Sequence, residues 1–446
     1  MGRRGMSDEG GASPQPSASP QPSASREGSA SLQVSANRER LSRDIETIAS
    51  FSEADPSVGY SRPTFSEAWR KALDYVIAEA KAAGCAVRVD AAGNLHARPA
   101  GLGWETPAWL CGSHIDSVPT GGKYDGVVGV VAALEALRLR PDAPLELIVF
   151  AEEEGTTFGL GMLGSRAWAG TLSGAELAAL RNRRGQDYFT AGAPHGVALE
   201  RLTAERLRPS TYRGLIEVHV EQGVALWNGG IPVAVVTTIN GRKQYRCVMT
   251  GAANHAGSTK MADRHDALAG AAEAVTALEA LARELDRESD HTVMTIGRLE
   301  VEPNALNVIP GRVTFVVDFR ARTDKMLASG DTLLRAALAR AAASRGLGLE
   351  VTCTEELPAM PLDAAVCRML REAAARLGVG LPDAASGALH DAAILTPLLP
   401  TAMLFVASEG GISHNPAEAS RIEDIELAAR IVVEAVRPSR GKGQRS

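Results

Sequence analysis

A chain of 446 residues, 45% hydrophobic and 22% charged, has ample apolar material for one large core or two ordinary ones and the balance of a soluble globular protein. Its net charge of −6 gives no electrostatic case for a nucleic-acid partner or a membrane surface. No apolar run approaches the ~20 residues of a bilayer span, and the N-terminus lacks the apolar core of a secretory signal. The five cysteines are odd in number and show no C-x-x-C spacing, which argues against a disulfide framework and predicts a reducing, cytoplasmic location.

In chain order, residues 1–36 hold "SPQPSASPQPSAS" and almost nothing to bury, which predicts a disordered tail. From 37 to 240, beginning with the helical "NRERLSRDIETIASFS", apolar strands alternate with helical stretches. "PAWLCGSHID" reads as a buried strand entering a loop and "GVVGVVAALEALRL" as a buried helix. "LELIVFAEEEG" and "GLIEVHVEQG" repeat the design of a strand with a polar end. This βαβ pattern predicts a mainly parallel sheet whose functional groups gather at the carboxyl ends of its strands.

Residues 241–354 read differently. The strand "KQYRCVM", the helix "RHDALAGAAEAVTALEALAREL", the strands "HTVMTIGRLEV" and "RVTFVVDFRA", the helix "DTLLRAALARAAAS" and the strand "GLEVTCTE" give the order βαββαβ of a ferredoxin-like α+β sheet. Residues 355–437 return to the first style with "TAMLFVASEGGISHNP", and 438–446 form a basic tail. The expected fold is therefore α/β, with a large domain (37–240 and 355–437) interrupted by a small inserted one (241–354).

The polar strand ends carry the candidate chemistry. His114 and Asp116 lie two apart at a strand end, and Asp125 follows in a glycine-rich loop. Loops collect Asp and Gly for turn reasons too, so the trio alone fits a structural loop as well as a metal site. Glu152, Glu153 and Glu154 follow a buried strand, where adjacent carboxylates need positive partners. Neighbours on an extended chain point in opposite directions, so one glutamate could hold a metal while the next addresses a water. Glu217, His219 and Glu221 share one face of a strand, and His414 sits in the loop after another. Each histidine alone could be structural; together, a His, an Asp, a Glu and two further His, each near the carboxyl end of a predicted strand, predict a two-metal site. In "RVTFVVDFR", Arg320 shares a face with Thr314 and Asp318, free to offer its fork to a carboxylate or to pair with Asp318.

Over about residues 40 to 436 the chain resembles the hydantoinase/carbamoylase family of M20-type dinuclear metallohydrolases. That group includes N-carbamoyl-L-amino-acid hydrolases, β-ureidopropionases of one type and allantoate amidohydrolases. The likeness rests on "GSHIDSVPTGGKYDG", "EEEGTTFG", "GSRAWAG", "EVHVEQG", "NHAGST", "NALNVIPG" and "SHNPAE", in that order. It implies a catalytic domain, a lid domain that also forms a homodimer interface, and two divalent ions (zinc, manganese or cobalt).

By motif, the resemblance makes Asp125 the bridging ligand, with His114 and His219 on one ion and Glu154 and His414 on the other. Glu153 would be the general base, and Asp116 would orient His114. From the lid, His255 would contact the reacting carbonyl oxygen, and Asn307 and Arg320 would hold a substrate carboxylate. Gln222 and His390 are further candidates beside the substrate. Thr157, Lys260 and Leu389 depart from residues frequent in the family. The implied activity is cleavage of a ureido or amide C–N bond in a small carboxylate substrate, foremost an N-carbamoyl-L-amino acid. Allantoate, an N-acyl amino acid, or a non-catalytic metal-dependent binding role are the alternatives.

Overall fold

The computed structural model describes residues 36–437 except Pro56, Ser289 and Asp290. The two expected tails, Ala36 aside, lie outside the described residues. The strands are β1 (Cys85–Val89), β2 (Leu95–Pro99), β3 (Ala108–His114), β4 (Leu145–Phe150), β5 (Tyr212–Val220), β6 (Val233–Ile239) and β7 (Gly241–Thr250). They continue with β8 (Val293–Glu302), β9 (Arg312–Ala321), β10 (Gly348–Leu357), β11 (Met360–Pro361), β12 (Asp383–Ser386) and β13 (Thr401–Val406).

Among the described residues, nine strands form one sheet in the order β1-β2-β4-β3-β5-β13-β6-β11, with β12 beside β6. The central strands β4, β3, β5 and β13 run parallel, and antiparallel pairs flank them on both sides. The centre is parallel because its strands are apolar on both faces: every residue of "LELIVF" and "TAMLFV" is buried. Behind them packs the helix Val127–Leu139, itself buried over most of its length and covered in turn by the helix Ile422–Ala435. Strands β1, β2, β6, β11 and β12 add to those expected from the sequence and widen the sheet at its edges.

A second sheet has the order β10-β7-β9-β8, antiparallel throughout. With the helices Ala267–Glu288 and Asp324–Ala343 it realises the expected βαββαβ order and ferredoxin-like strand arrangement. Burial alternates strictly along β9. Val313, Phe315, Val317 and Phe319 enter a core with Leu278, Leu334 and Leu338, which leaves Thr314, Asp318 and Arg320 on the open face.

Candidate metal centre

Four neighbouring parallel strands deliver the site. His114 is the last residue of β3, and Asp116 and Asp125 lie in the loop beyond it. Glu153 and Glu154 follow β4, His219 is the penultimate residue of β5, and His414 follows β13. In an open parallel sheet the carboxyl ends of adjacent strands form one crevice, so residues 300 apart in sequence meet there.

The donors form two clusters that share Asp125: His114, Asp125 and His219, and Asp125, Glu154 and His414. His219 Nε2 lies 3.1 Å and His114 Nε2 3.7 Å from Asp125 Oδ1. His414 Nε2 lies 3.2 Å from Asp125 Oδ2 and 3.7 Å from Glu154 Oε2. His114 Nδ1 donates to the Asp116 carbonyl at 3.0 Å and His219 Nδ1 to the Val220 carbonyl at 2.9 Å. Those bonds put the proton of each neutral ring on Nδ1, so in the neutral state both Nε2 atoms turn lone pairs, 3.4 Å apart, to each other and to a carboxylate. Acceptors facing acceptors call for a cation between them. Glu154 Oε1, buried without a hydrogen bond, points to the same need. The donor set, imidazole with carboxylate, fits a divalent transition ion.

The backbone is strained where it presents these groups: Glu152, Gln222 and His414 hold φ of 57°, 58° and 53°. Gly126, at φ 66°, starts the helix Val127–Leu139, and a Cβ there would come within 2.6 Å of the His114 ring. Glycine is thus required both by conformation and by the close approach of the His114 ring.

Charged groups brace the loops. The Asp116 carboxylate accepts from the Glu153 and Glu154 amides at 3.3 and 3.1 Å and sits 3.7 Å from His114 Nδ1. It therefore positions the glutamate loop more directly than it orients the histidine. The Glu418 carboxylate accepts from the amides of Tyr124 and Asp125 at 2.9 and 3.0 Å and from Ser413 at 2.9 Å, tying the β3 loop to the β13 loop. Arg62, fully buried, donates to the Ile115 carbonyl at 2.6 Å and to that of Ile48 at 3.2 Å. Burial pushes its pKa down to about 10, against the pull of Asp116. The sequence reading missed Arg62 and Glu418. Glu418 could have been found in "SHNPAE", whereas nothing local to Arg62 marks it.

Crowding sets the electrostatics. Burial drives the His114 pKa down to about 4, despite Asp125. Burial acts the same way on His219, but the hydrogen bond and charge of Asp125 outweigh it and raise the pKa to about 9. The hydrogen bond to Asp125 likewise lifts His414 to about 9. Burial and then Asp125 push Glu154 up to about 8, and burial and then Glu154 push Glu153 well above the usual carboxylate range. Carboxylates gathered out of water in this way hold protons unless cations replace them.

A cavity of about 560 Å³ opens over the clusters, lined by Glu153, His219, Gln222, Arg320, Leu389 and His390 among others. Gln222 donates to Asp125 Oδ2 at 2.9 Å. His390 packs edge-on to His219, ring centroids 4.4 Å apart, and pairs with Ser386 at 2.8 Å. Arg320 pairs with Asp318 at 2.7 Å. His255 and Asn307 are not brought to this cavity. Both are exposed on loops beside the second sheet, joined by the Ala256 amide donating to the Asn307 carbonyl at 2.9 Å. Of the departing residues, Thr157 gives its amide to Glu152 at 2.7 Å, Leu389 lines the cavity and Lys260 is exposed.

Fold and donor set thus define an α/β protein with a candidate metal centre at the carboxyl ends of its parallel strands. The chain belongs to the family described as Peptidase family M20/M25/M40, whose profile it matches over residues 110–437. It is 36% identical over 390 residues to an N-carbamoyl-L-amino acid amidohydrolase of Geobacillus stearothermophilus, covering 85% of this chain and 93% of the relative. A ureidoglycolate hydrolase of Arabidopsis thaliana is 33% identical, covering 90% of this chain and 86% of the relative. An allantoate amidohydrolase of Escherichia coli (strain K12) is 30% identical, covering 87% and 94%. Among solved structures, an amidase of the hydantoinase/carbamoylase family from Burkholderia multivorans superposes with a TM-score of 0.82 at 33% identity, covering 90% of this chain and 98% of that one.

Proposed function

We propose that the protein is a metal-dependent amidohydrolase that cleaves the ureido C–N bond of a small carboxylate substrate, foremost an N-carbamoyl-L-amino acid. The observation that carries this reading is the pair of clusters sharing Asp125, set against Glu153 in one cavity. His114 and His219 would hold one divalent ion and Glu154 and His414 the other, with Asp125 between. Such ions supply Lewis acidity and make water acidic enough to deprotonate near neutral pH.

Glu153, whose Oε2 lies 3.7 Å from His114 Nε2, takes the proton of the attacking water and returns one to the leaving nitrogen. Asp116 holds the Glu153 amide, and through it the base, in position. Gln222 and His390 border the substrate. His255, Asn307 and Arg320 come from 241–354, which acts as lid and dimer surface, while 37–240 and 355–437 form the catalytic domain. His255 stabilises charge on the carbonyl oxygen, and Asn307 and Arg320 face the carboxylate. Products of an N-carbamoyl amino acid are the amino acid, carbon dioxide and ammonia. The free state of all five cysteines supports a cytoplasmic site of action, and no helix among the described residues is long and apolar enough to cross a membrane.

Allantoate is the second reading, supported by the relative that bears that activity in its name. Ammonia release from N-carbamoyl-L-amino acids, N-carbamoyl-β-alanine, allantoate and ureidoglycolate, with zinc- or manganese-loaded protein, tests the assignment. Chelator-sensitive turnover of the first class is expected; turnover confined to allantoate selects the alternative. Metal binding without ammonia release from any of them would overturn the ureido reading and direct attention to N-acyl amino acids.

A further inference from the structure

The loop that carries Glu152, Glu153 and Glu154 leaves β4 and returns to the short helix Leu163–Ala169 through a narrow neck. Three backbone bonds close that neck. The amides of Met162, Leu163 and Gly164 donate to the carbonyls of Glu153, Glu152 and Ala151 at 2.9, 3.1 and 2.8 Å. At its foot these bonds leave two buried polar groups to be satisfied, the Ala151 amide and the Gly164 carbonyl.

One side chain takes both. Asn94, fully buried between β1 and β2, accepts from the Ala151 amide at 3.1 Å and donates to the Gly164 carbonyl at 3.1 Å. Its second N–H goes to Asp90 Oδ2 at 2.9 Å, which fixes the end of the amide that faces each partner. The fit is close, since a Cβ on Gly164 would run into Asn94 Oδ1. Beside this clasp the backbone is strained: Glu152, the next residue after Ala151, holds φ at 57°, a conformation that persists in a glutamate only where its surroundings impose it. Within the loop the Glu152 carboxylate accepts from the amides of Thr157 and Phe158 at 2.7 and 2.9 Å. From the site side Asp116 takes the amides of Glu153 and Glu154. Asn94 is the contact that ties the foot of the loop to the sheet behind it.

We infer that Asn94 is a positioning residue for the glutamate pair: by locking Ala151 to Gly164 it holds the turn at Glu152, and with it the direction in which Glu153 and Glu154 leave the chain. It acts on the site through the backbone alone. The effect expected on turnover rests on the proposed hydrolysis; the hold of Asn94 on the loop does not.

The test compares wild type, Asn94→Leu, Asn94→Asp and, as a control for lost stability, Val432→Ala in the outer helix Ile422–Ala435. Three readouts are taken: calorimetric zinc titration of the metal-free protein, hydrogen exchange of the 162–164 amides in that state, and kcat and KM of the zinc-loaded protein on an N-carbamoyl-L-amino acid. Asn94→Leu should speed exchange at 162–164 and weaken one of the two zinc sites, each by about tenfold or more. The other zinc site, whose histidines come from β3 and β5, should stay within about threefold. Its kcat should fall by about 10–10², with KM within about threefold of wild type. Asn94→Asp, which keeps the acceptor for Ala151 and gives up a donor, should fall between. Val432→Ala should lower Tm and leave zinc affinity, exchange at 162–164 and kcat as in wild type. Wild-type zinc affinity and exchange in both Asn94 variants, or equal losses in Val432→Ala, would overturn the inference. Should Asn94→Leu not fold, Asn94→Asp decides: one zinc must bind at least about threefold more weakly with the other unmoved, and two unmoved sites overturn it. Should wild type hydrolyse no ureido substrate, zinc affinity and exchange still decide for or against Asn94, and it is the ureido reading that falls.

Discussion

At the scale of single residues, the site is a problem of charge crowding that only cations solve. Asp125 meets three imidazoles, and Glu154 keeps a buried oxygen without a partner. The proposed division of labour between adjacent glutamates has a direct consequence. Glu153→Gln keeps both metal clusters intact and should retain the ions while lowering kcat by about 10²–10⁴; metal analysis beside steady-state kinetics checks it, and unchanged turnover would remove Glu153 as the base. Gly126 is the tightest steric constraint on a ligand. Gly126→Ala forces a Cβ at φ 66° towards the His114 ring, and should cost about 1–3 kcal/mol and lower zinc affinity, read by thermal denaturation with and without metal. Most of the candidate ligands were legible as residues because histidine and acid stand at the ends of apolar runs. Arg62 was not, since its role depends on carbonyls from two separate segments, Ile48 and Phe51 at one helix end and Ile115 after β3, meeting around one guanidinium.

At the scale of elements, the glutamate loop is held from behind as well as from the site. The buried His96 of β2 lies 2.7 Å from Glu146 of β4 and 3.2 Å from Asp90. Asp90 accepts from Asn94 at 2.9 Å, and Asn94 accepts from the Ala151 amide at 3.1 Å, where the loop begins. Burial alone would lower the His96 pKa, but the hydrogen bonds and charges of Asp90 and Glu146 raise it above 6.5. A raised folded pKa means that the folded state binds the extra proton. The stabilisation is therefore complete below the unfolded value and lost as pH rises through the folded one. The Tm gap between wild type and His96→Gln should be widest near pH 6 and narrow as pH rises; a gap that widened instead would contradict a charged His96.

Element boundaries show where sequence patterns misled. The helix expected from Asp331 starts seven residues earlier, at Asp324, because the Thr323 side chain caps it by accepting from the Met326 amide at 3.1 Å. Gly330 does not break it. A Cβ there would come 2.3 Å from the Phe319 ring, so glycine is what lets the helix close on β9. Gly330→Ala should cost about 1–3 kcal/mol by overpacking, despite alanine's better helix propensity, measured by urea denaturation.

At the scale of the whole molecule, the two sheets were readable because each keeps its own period: continuous apolar strands in the first, strict alternation in β9 of the second. The flanking strands β1, β2, β6, β11 and β12 went unnamed, being short or placed only by partners remote in sequence. What no local pattern could supply is that His255 lies exposed outside the cavity. If a partner's His255 completes each site, inactive Glu153→Gln and His255→Ala proteins, dissociated and reassociated together, should regain about a quarter of wild-type activity. Persistent inactivity of the mixture would place His255 in its own chain's site.

The central claim is that two cations at the Asp125-centred clusters carry ureido hydrolysis. Its most direct test is ammonia release from an N-carbamoyl-L-amino acid while the metal-free protein is titrated with zinc or manganese. The account predicts no turnover without metal and a rise that levels off at two ions per chain. Full turnover in the metal-free protein, or no turnover of any ureido substrate with both ions bound, would contradict it.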